Sequence, residues 1–226
     1  MKVFLTIGLL AATLSGGAYG ATITLNSGAG VTFLDSGLTN TDFTAPFTAA
    51  NFTAAQNGKS ASILTSTPFY ISSLADGPGA KWIGTNSNAG ATVGDTALYA
   101  IRFTLSGQVT SGSLDLFFGV DNILGGSNAG IYINGTALPN SKGIPGSSTA
   151  SFTAEHRYTD LNIASLLVAG TNWLYIDAVN LGGPAGLIFS ANVTTQAANA
   201  VPEPASALLL GVGLMAAMGC AGALRK

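Results

Sequence analysis

Tyr99-Ala-Ile-Arg-Phe-Thr-Leu105, followed by Ser113-Leu-Asp-Leu-Phe-Phe-Gly-Val120, decides the fold of this chain. In an extended backbone, successive side chains point to opposite faces. Tyr99, Ile101, Phe103 and Leu105 therefore share one face, with Arg102 and Thr104 on the other. Leu114, Leu116, Phe118 and Val120 repeat the pattern, leaving Ser113 and Asp115 opposite. Alternation with a period of two predicts strands buried on one side.

The same reading extends in both directions. Ile131-Tyr-Ile133 runs into Asn134-Gly135, a pair that accepts the positive φ of a tight hairpin turn. Trp173-Leu-Tyr-Ile-Asp-Ala-Val179 and Leu187-Ile-Phe-Ser-Ala-Asn-Val193 are two further strands, with Gly182-Gly-Pro184 turning between them. Upstream, Thr22-Ile-Thr-Leu25 and Val31-Thr-Phe-Leu34 have strand character, while Asp42 to Gly58 reads as strand, loop or neither. One helix is expected, over Asp160–Gly170, with Asp160 capping its start and Gly170 its end. Short strands separated by frequent turns predict an all-β, antiparallel β-sandwich. Trp82 and Trp173 both fall in stretches that read as core.

The termini carry a different signal. Met1-Lys2, an apolar stretch from Val3 to Leu14 and a run of mostly small residues have the layout of a secretory signal peptide. Residues 1–20 are assigned to it, with cleavage expected between Gly20 and Ala21. At the other end, residues 197–204 form a tether ending in Pro202-Glu203-Pro204. The uncharged apolar run 205–224 follows and stops at Arg225-Lys226. As a helix this run spans roughly 30 Å, enough to cross a bilayer, and the two cations would stay on its cytoplasmic side. The exported domain is then 21–196.

The tail resembles the PEP-CTERM sorting signal of Gram-negative bacteria, in which a Pro-Glu-Pro motif precedes a membrane helix and a basic end. The resemblance implies an exosortase-type processing enzyme as partner and Pro202, Glu203 and Pro204 as the processing motif. It also implies export through the inner membrane to the cell surface, outer envelope or extracellular matrix.

Without its ends the chain changes character. A mean hydropathy of +0.44 reflects both apolar termini. Residues 21–200 hold five cations against nine carboxylates, a formal charge of −4. That surface offers no footprint for a phosphate backbone, which excludes nucleic-acid binding. The single cysteine, Cys220, lies in the apolar tail, so the exported domain depends on its core rather than on disulfides.

Lys81-Trp-Ile83, the strand from Tyr99, Leu114 to Asn122, Ile131 to Gly135, Leu161 to Leu166, Gly170-Thr-Asn172 and Leu174 to Asn180 follow one another in order. This order is similar to that of the galactose-binding-like jelly rolls found as accessory domains in glycoside hydrolases and surface proteins. The likeness covers roughly residues 80–194. It implies a jelly-roll sandwich and a sugar-associated, non-catalytic role.

Catalytic chemistry finds little support. His156 is the one histidine and sits between Glu155 and Arg157, a pattern expected of a surface residue. No Gly-x-Ser-x-Gly elbow marks a nucleophile, and one histidine without an exported cysteine cannot build an ordinary zinc site. Calcium needs only oxygen ligands, which the Asp121-Asn122 loop can supply, as can Asp76 or Asp95 in Gly-rich loops. The sequence therefore predicts a non-catalytic exported protein with a structural or adhesive role in extracellular polysaccharide. The alternative is a carbohydrate-binding module with its ligand near Asp121 and Asn122, and a surface hydrolase is the remote third option.

Overall fold

The computed structural model describes residues 20–39, 41–146 and 151–197. The Pro202-Glu203-Pro204 motif, the apolar run 205–224, Arg225-Lys226 and the leader up to Tyr19 lie outside the described residues. Among the described residues no helix is long and apolar enough to cross a membrane.

Among the described residues thirteen strands build two antiparallel sheets. They are β1 (Gly20–Asn26), β2 (Thr32–Thr39), β3 (Lys59–Ser60), β4 (Ser62–Ile63), β5 (Ile83–Gly84), β6 (Asp95–Leu105) and β7 (Val109–Asp121). The remainder are β8 (Ile123–Leu124), β9 (Ile131–Ile133), β10 (Thr136–Ala137), β11 (His156–Asp160), β12 (Gly170–Val179) and β13 (Gly186–Ala197). One sheet has six strands in the order β11-β7-β13-β5-β4, with β1 also paired to β13. The other has seven, in the order β10-β9-β12-β6-β2-β3, with β8 also paired to β12. From β6 onward the long strands alternate between sheets: β6 in one, β7 in the other, then β9, β11, β12 and β13 in turn. That alternation is the jelly-roll crossover pattern, and it agrees with the expected all-β sandwich.

The core lies between the sheets. Tyr99, Phe103 and Leu105 of β6 face Leu114, Leu116, Phe118 and Val120 of β7, joined by Leu174 and Ile176 of β12 and Leu187, Phe189, Ala191 and Val193 of β13. These are the faces read from the alternation. Fully burying such a side chain stabilises the fold by roughly 1.5–3 kcal/mol.

Both sheets are also partly covered on their outer faces. Tyr70, Leu74, Trp82, Phe117 and Ile188 form a cluster outside the six-stranded sheet. Phe52, Ala55, Leu98, Ala100, Tyr132 and Tyr175 do so outside the seven-stranded one. A β-strand thus buries both faces here, which is why Leu98 and Ala100 are as apolar as Tyr99 and Phe103. Trp82 is buried, though in the outer cluster of the six-stranded sheet, and Trp173 is only half-buried against the other outer cluster, so neither lies in the core between the sheets.

One further local expectation is corrected, and one open stretch is resolved. Asp160–Gly170 is not a helix. Asp160 ends β11, and its Oδ1 accepts the Asn162 N–H at 2.9 Å, turning the chain at once. Only Ala164–Leu166 forms a single 3₁₀ turn. Ile163 and Leu167 plug the core, and Gly170, at φ +89°, opens β12 instead of closing a helix. Conversely, Ala49–Gln56 forms helix α1. Asn51 Oδ1 accepts the Thr48 backbone N–H at 2.9 Å and its hydroxyl at 2.7 Å, fixing the first turn. Phe52 and Ala55 anchor α1 to the sheet.

Candidate functional site

A groove lies along one edge of the sandwich. There β11, the outermost strand of the six-stranded sheet, faces the 138–146 segment that follows β10 at the edge of the other sheet. Between them runs a groove of about 640 Å³, a size suited to a small ligand. His156, Tyr158 and Asp160 point inward from β11, as their pairing with the core residues Phe118, Leu116 and Leu114 requires. Asn140 and Asn162 line the same groove from the flanking turns, and Ile144 and Pro145 supply an apolar wall.

Tyr158 ties the two walls together. Its hydroxyl donates to the Pro139 carbonyl at 2.7 Å. Burial, reinforced by the Asp160 charge, pushes this phenol up to about 12, so it stays neutral. Asn140 sits at φ +57°, a left-handed position that asparagine tolerates. The His156 ring lies 5.6 Å from Phe118, and its Nε2 is buried with no partner among the described residues. His156 is therefore half-buried in a groove wall, not the plain surface residue expected from its charged neighbours.

Next to the groove, on the outer face, Arg157 forms a two-point pair with Asp115. Nε donates to Oδ1 at 2.7 Å and Nη2 to Oδ2 at 2.6 Å. The Thr159 hydroxyl adds a third bond to Asp115 Oδ1 at 3.0 Å. The guanidinium lies 5.2 Å from the centre of the Phe117 ring, within cation–π range. These bonds hold the Asp115 carboxyl below the usual carboxylate value. The outer face continues as a row of short polar side chains. Thr22 and Thr194 hydroxyls meet at 3.0 Å, and the Thr24 hydroxyl donates to Asn192 Oδ1 at 2.7 Å.

Asp121 and Asn122, the residues expected to form a ligand or calcium loop, lie at the end of β7 and are joined by a cis peptide. Asp121 is 6% exposed. Its Oδ2 accepts the Tyr70 hydroxyl at 3.0 Å, and its Oδ1 accepts Asn122 Nδ2 at 2.7 Å. Asn122 Oδ1 in turn accepts the Leu181 N–H at 2.6 Å. Burial raises the Asp121 carboxyl to about 6, while the Tyr70 bond works in the opposite direction. Each side-chain polar atom of the pair has an internal partner, and the pair joins the end of β7 to the turn after β12. Asp76 is exposed, and Asp95 begins β6, where burial and the nearby Asp35 raise its carboxyl. Gly20 and Ala21 open β1 opposite Gln196 and Thr195.

Sequence reasoning missed the groove because its two walls, close in the chain, belong to the edges of different sheets, which only the strand pairing reveals. The period-two placement of His156, Tyr158 and Asp160 was the available signal, hidden when Asp160 was read as a helix cap.

No protein-family model matches the chain, and no curated protein matches it. Among solved structures it is similar to a CBM35 from Paenibacillus barcinonensis, at 18% identity and a TM-score of 0.36, over 78% of this chain and 99% of that one. It is also similar to a family 35 carbohydrate binding module from Clostridium thermocellum, at 12% identity and a TM-score of 0.38, over 75% of this chain and 97% of that one. The fold assignment rests on the strand pairing itself.

Proposed function

We propose that the protein is an exported β-sandwich that binds carbohydrate chains without cleaving them, through the groove beside β11. The carrying observation is the lining of that groove, where amides (Asn140, Asn162) and a carboxylate (Asp160) stand beside an aromatic edge (Tyr158) and apolar walls (Ile144, Pro145, Leu161). Sugar hydroxyls donate and accept at once, so amides and carboxylates match them, while ring C–H faces pack on aromatic carbon. Arg157 adds a charged donor group whose position is fixed by Asp115.

A structural or adhesive role in extracellular polysaccharide is the second reading. It is favoured by the row of hydroxyl and amide side chains across β1 and β13, which presents many weak contacts rather than one pocket. Under either reading the Pro202-Glu203-Pro204 tail acts as a sorting signal for an exosortase-type enzyme, and the apolar run 205–224 holds the chain in the membrane until processing. Affinity electrophoresis of the full chain through gels containing soluble polysaccharides tests the binding reading. Retardation by at least one polysaccharide, reduced in Asn162→Ala, supports the groove. Retardation unchanged by that substitution points to the sheet face instead.

A further inference from the structure

Two carboxylates outside the groove have no use in the proposed binding reaction. Asp177 sits on β12 with its side chain on the outer face of the seven-stranded sheet, in line with Trp173 and Tyr175. It is 0% exposed, and neither carboxylate oxygen has a hydrogen-bond partner among the described residues. Asp42 belongs to the segment that crosses this face before α1. Its Oδ2 accepts the Ser127 N–H, but its Oδ1 is buried without a partner among the described residues. An isolated buried carboxylate costs several kcal/mol, and a second one nearby increases that cost. The Asp42 charge raises the Asp177 carboxyl further beyond the effect of burial, and both charges act on Tyr132.

The rest of the enclosure is built with care. Asn128 Nδ2 donates to the Phe43 carbonyl at 2.8 Å and to the Ala45 carbonyl at 3.1 Å, fastening the covering segment to the turn before β9. Thr96 Oγ1 donates to the Thr41 carbonyl at 2.6 Å, fastening it to β6. On the strand side, Gly125 N–H donates to the Asp177 carbonyl and Asp177 N–H to the Gly130 carbonyl, each at 2.8 Å. Gly126 lies so close that an added Cβ would stand 2.4 Å from Asp42 Oδ2. A hollow of about 270 Å³ beside Asp42, Phe43 and Phe47 opens to solvent. A segment locked at this many points, yet leaving three carboxylate oxygens without a donor, lacks positive charge. Among the described residues the only ion pair is Arg157 with Asp115, on the other sheet.

We propose that Asp42 and Asp177 are the carboxylate ligands of a divalent cation of the calcium class, enclosed between the 41–47 segment and the outer face of the seven-stranded sheet. Two carboxylates balance the charge of one such ion. Calcium takes six to eight oxygens, so the shell is completed by neutral ones: main-chain carbonyls of the 41–45 and 125–129 segments, the Tyr132 hydroxyl and water. Zinc does not suit the site, because it offers no nitrogen or sulfur ligand. The ion would clamp the segment leading into α1 onto β12 and β6, making the outer aromatic cluster of Phe43, Phe47 and Phe52 dependent on it.

The test is thermal unfolding of the full chain in about 1 mM calcium and in chelator, a concentration typical of extracellular calcium modules. It is paired with terbium titration read by luminescence sensitised through Tyr132. Calcium is expected to raise the melting temperature by roughly 5 °C or more, and terbium to bind saturably and be displaced by calcium. Asp177→Asn and Asp42→Asn should each abolish the calcium-dependent rise, whereas Asp115→Asn should leave it intact. Equal melting temperatures with no saturable terbium emission overturn the proposal. So does a calcium response that survives in both Asp42→Asn and Asp177→Asn, since the ion would then sit elsewhere. Where one variant fails to fold, the response of the other decides where the ion sits, and an unsubstituted protein that binds no terbium overturns the proposal in either case.

Discussion

The Tyr70 hydroxyl donates to Asp121 Oδ2 at 3.0 Å in the protein interior, joining a loop to the end of β7 across 51 positions of sequence. Burial raises the Asp121 carboxyl to about 6, against about 4 in an unfolded chain. Between those values the folded state keeps a proton that the unfolded state has lost. Asp121 therefore makes stability fall as pH rises from about 4 to about 6, with no further loss above. In Asp121→Asn this contribution should vanish. Urea midpoints at pH 4.5 and 7.5 for both proteins measure the difference, and an identical pH dependence would contradict it.

A second prediction concerns Asn172, which is fully buried at the start of β12. Its Nδ2 donates to the Val168 and Gly170 carbonyls at 2.7 and 3.0 Å. Its Oδ1 accepts the Val168 N–H at 2.9 Å and Asn134 Nδ2 at 2.8 Å. Asn134 Oδ1 in turn accepts the Trp173 N–H at 2.8 Å, so one network fixes both the β9–β10 hairpin and the turn into β12. Asn172→Ala leaves several buried groups without partners and should lower stability by about 3 kcal/mol. Chemical unfolding with an unchanged slope and a shifted midpoint is the expected result.

Close approach of backbone gives a third. At Gly58 an added Cβ would stand 1.9 Å from the Phe33 carbonyl oxygen of β2. Gly58→Ala should destabilise the fold by more than about 2 kcal/mol, because two backbone segments must part. At Gly107, in the β6–β7 turn, an added Cβ meets nothing within 4 Å. Gly107→Ala should be neutral or slightly stabilising, by up to about 1 kcal/mol. Melting curves of the pair check both statements in one experiment.

The sequence disclosed the sandwich because its long strands obey a simple period. Leu114, Leu116, Phe118 and Val120 alternate cleanly, and Asn134-Gly135 adopts φ values of +50° and +84° in the expected hairpin. Two-sided burial was harder to read. Tyr175 and Leu98 look like ordinary strand residues, and nothing local announces that α1 and Phe47 cover them. Asp160 shows the limit of capping rules, because the same side chain that can start a helix also makes an Asx turn, and core packing of Ile163 and Leu167 chose the turn. The groove and the Asp42–Asp177 enclosure were illegible for one reason. Each joins segments that only the sheet pairing brings together.

Carbohydrate binding without cleavage at the β11 groove is tested most directly by isothermal titration of the full chain with the polysaccharide that retards it most in gels. Asn162→Ala removes one amide from the groove. Asn140→Gly removes the other while suiting the left-handed backbone at that position. Saturable binding to the unsubstituted protein is expected, weakened at least tenfold in the double variant, with unchanged melting temperature and no new reducing ends. Equal affinity in the double variant, or no heat with any polysaccharide tried, would contradict it.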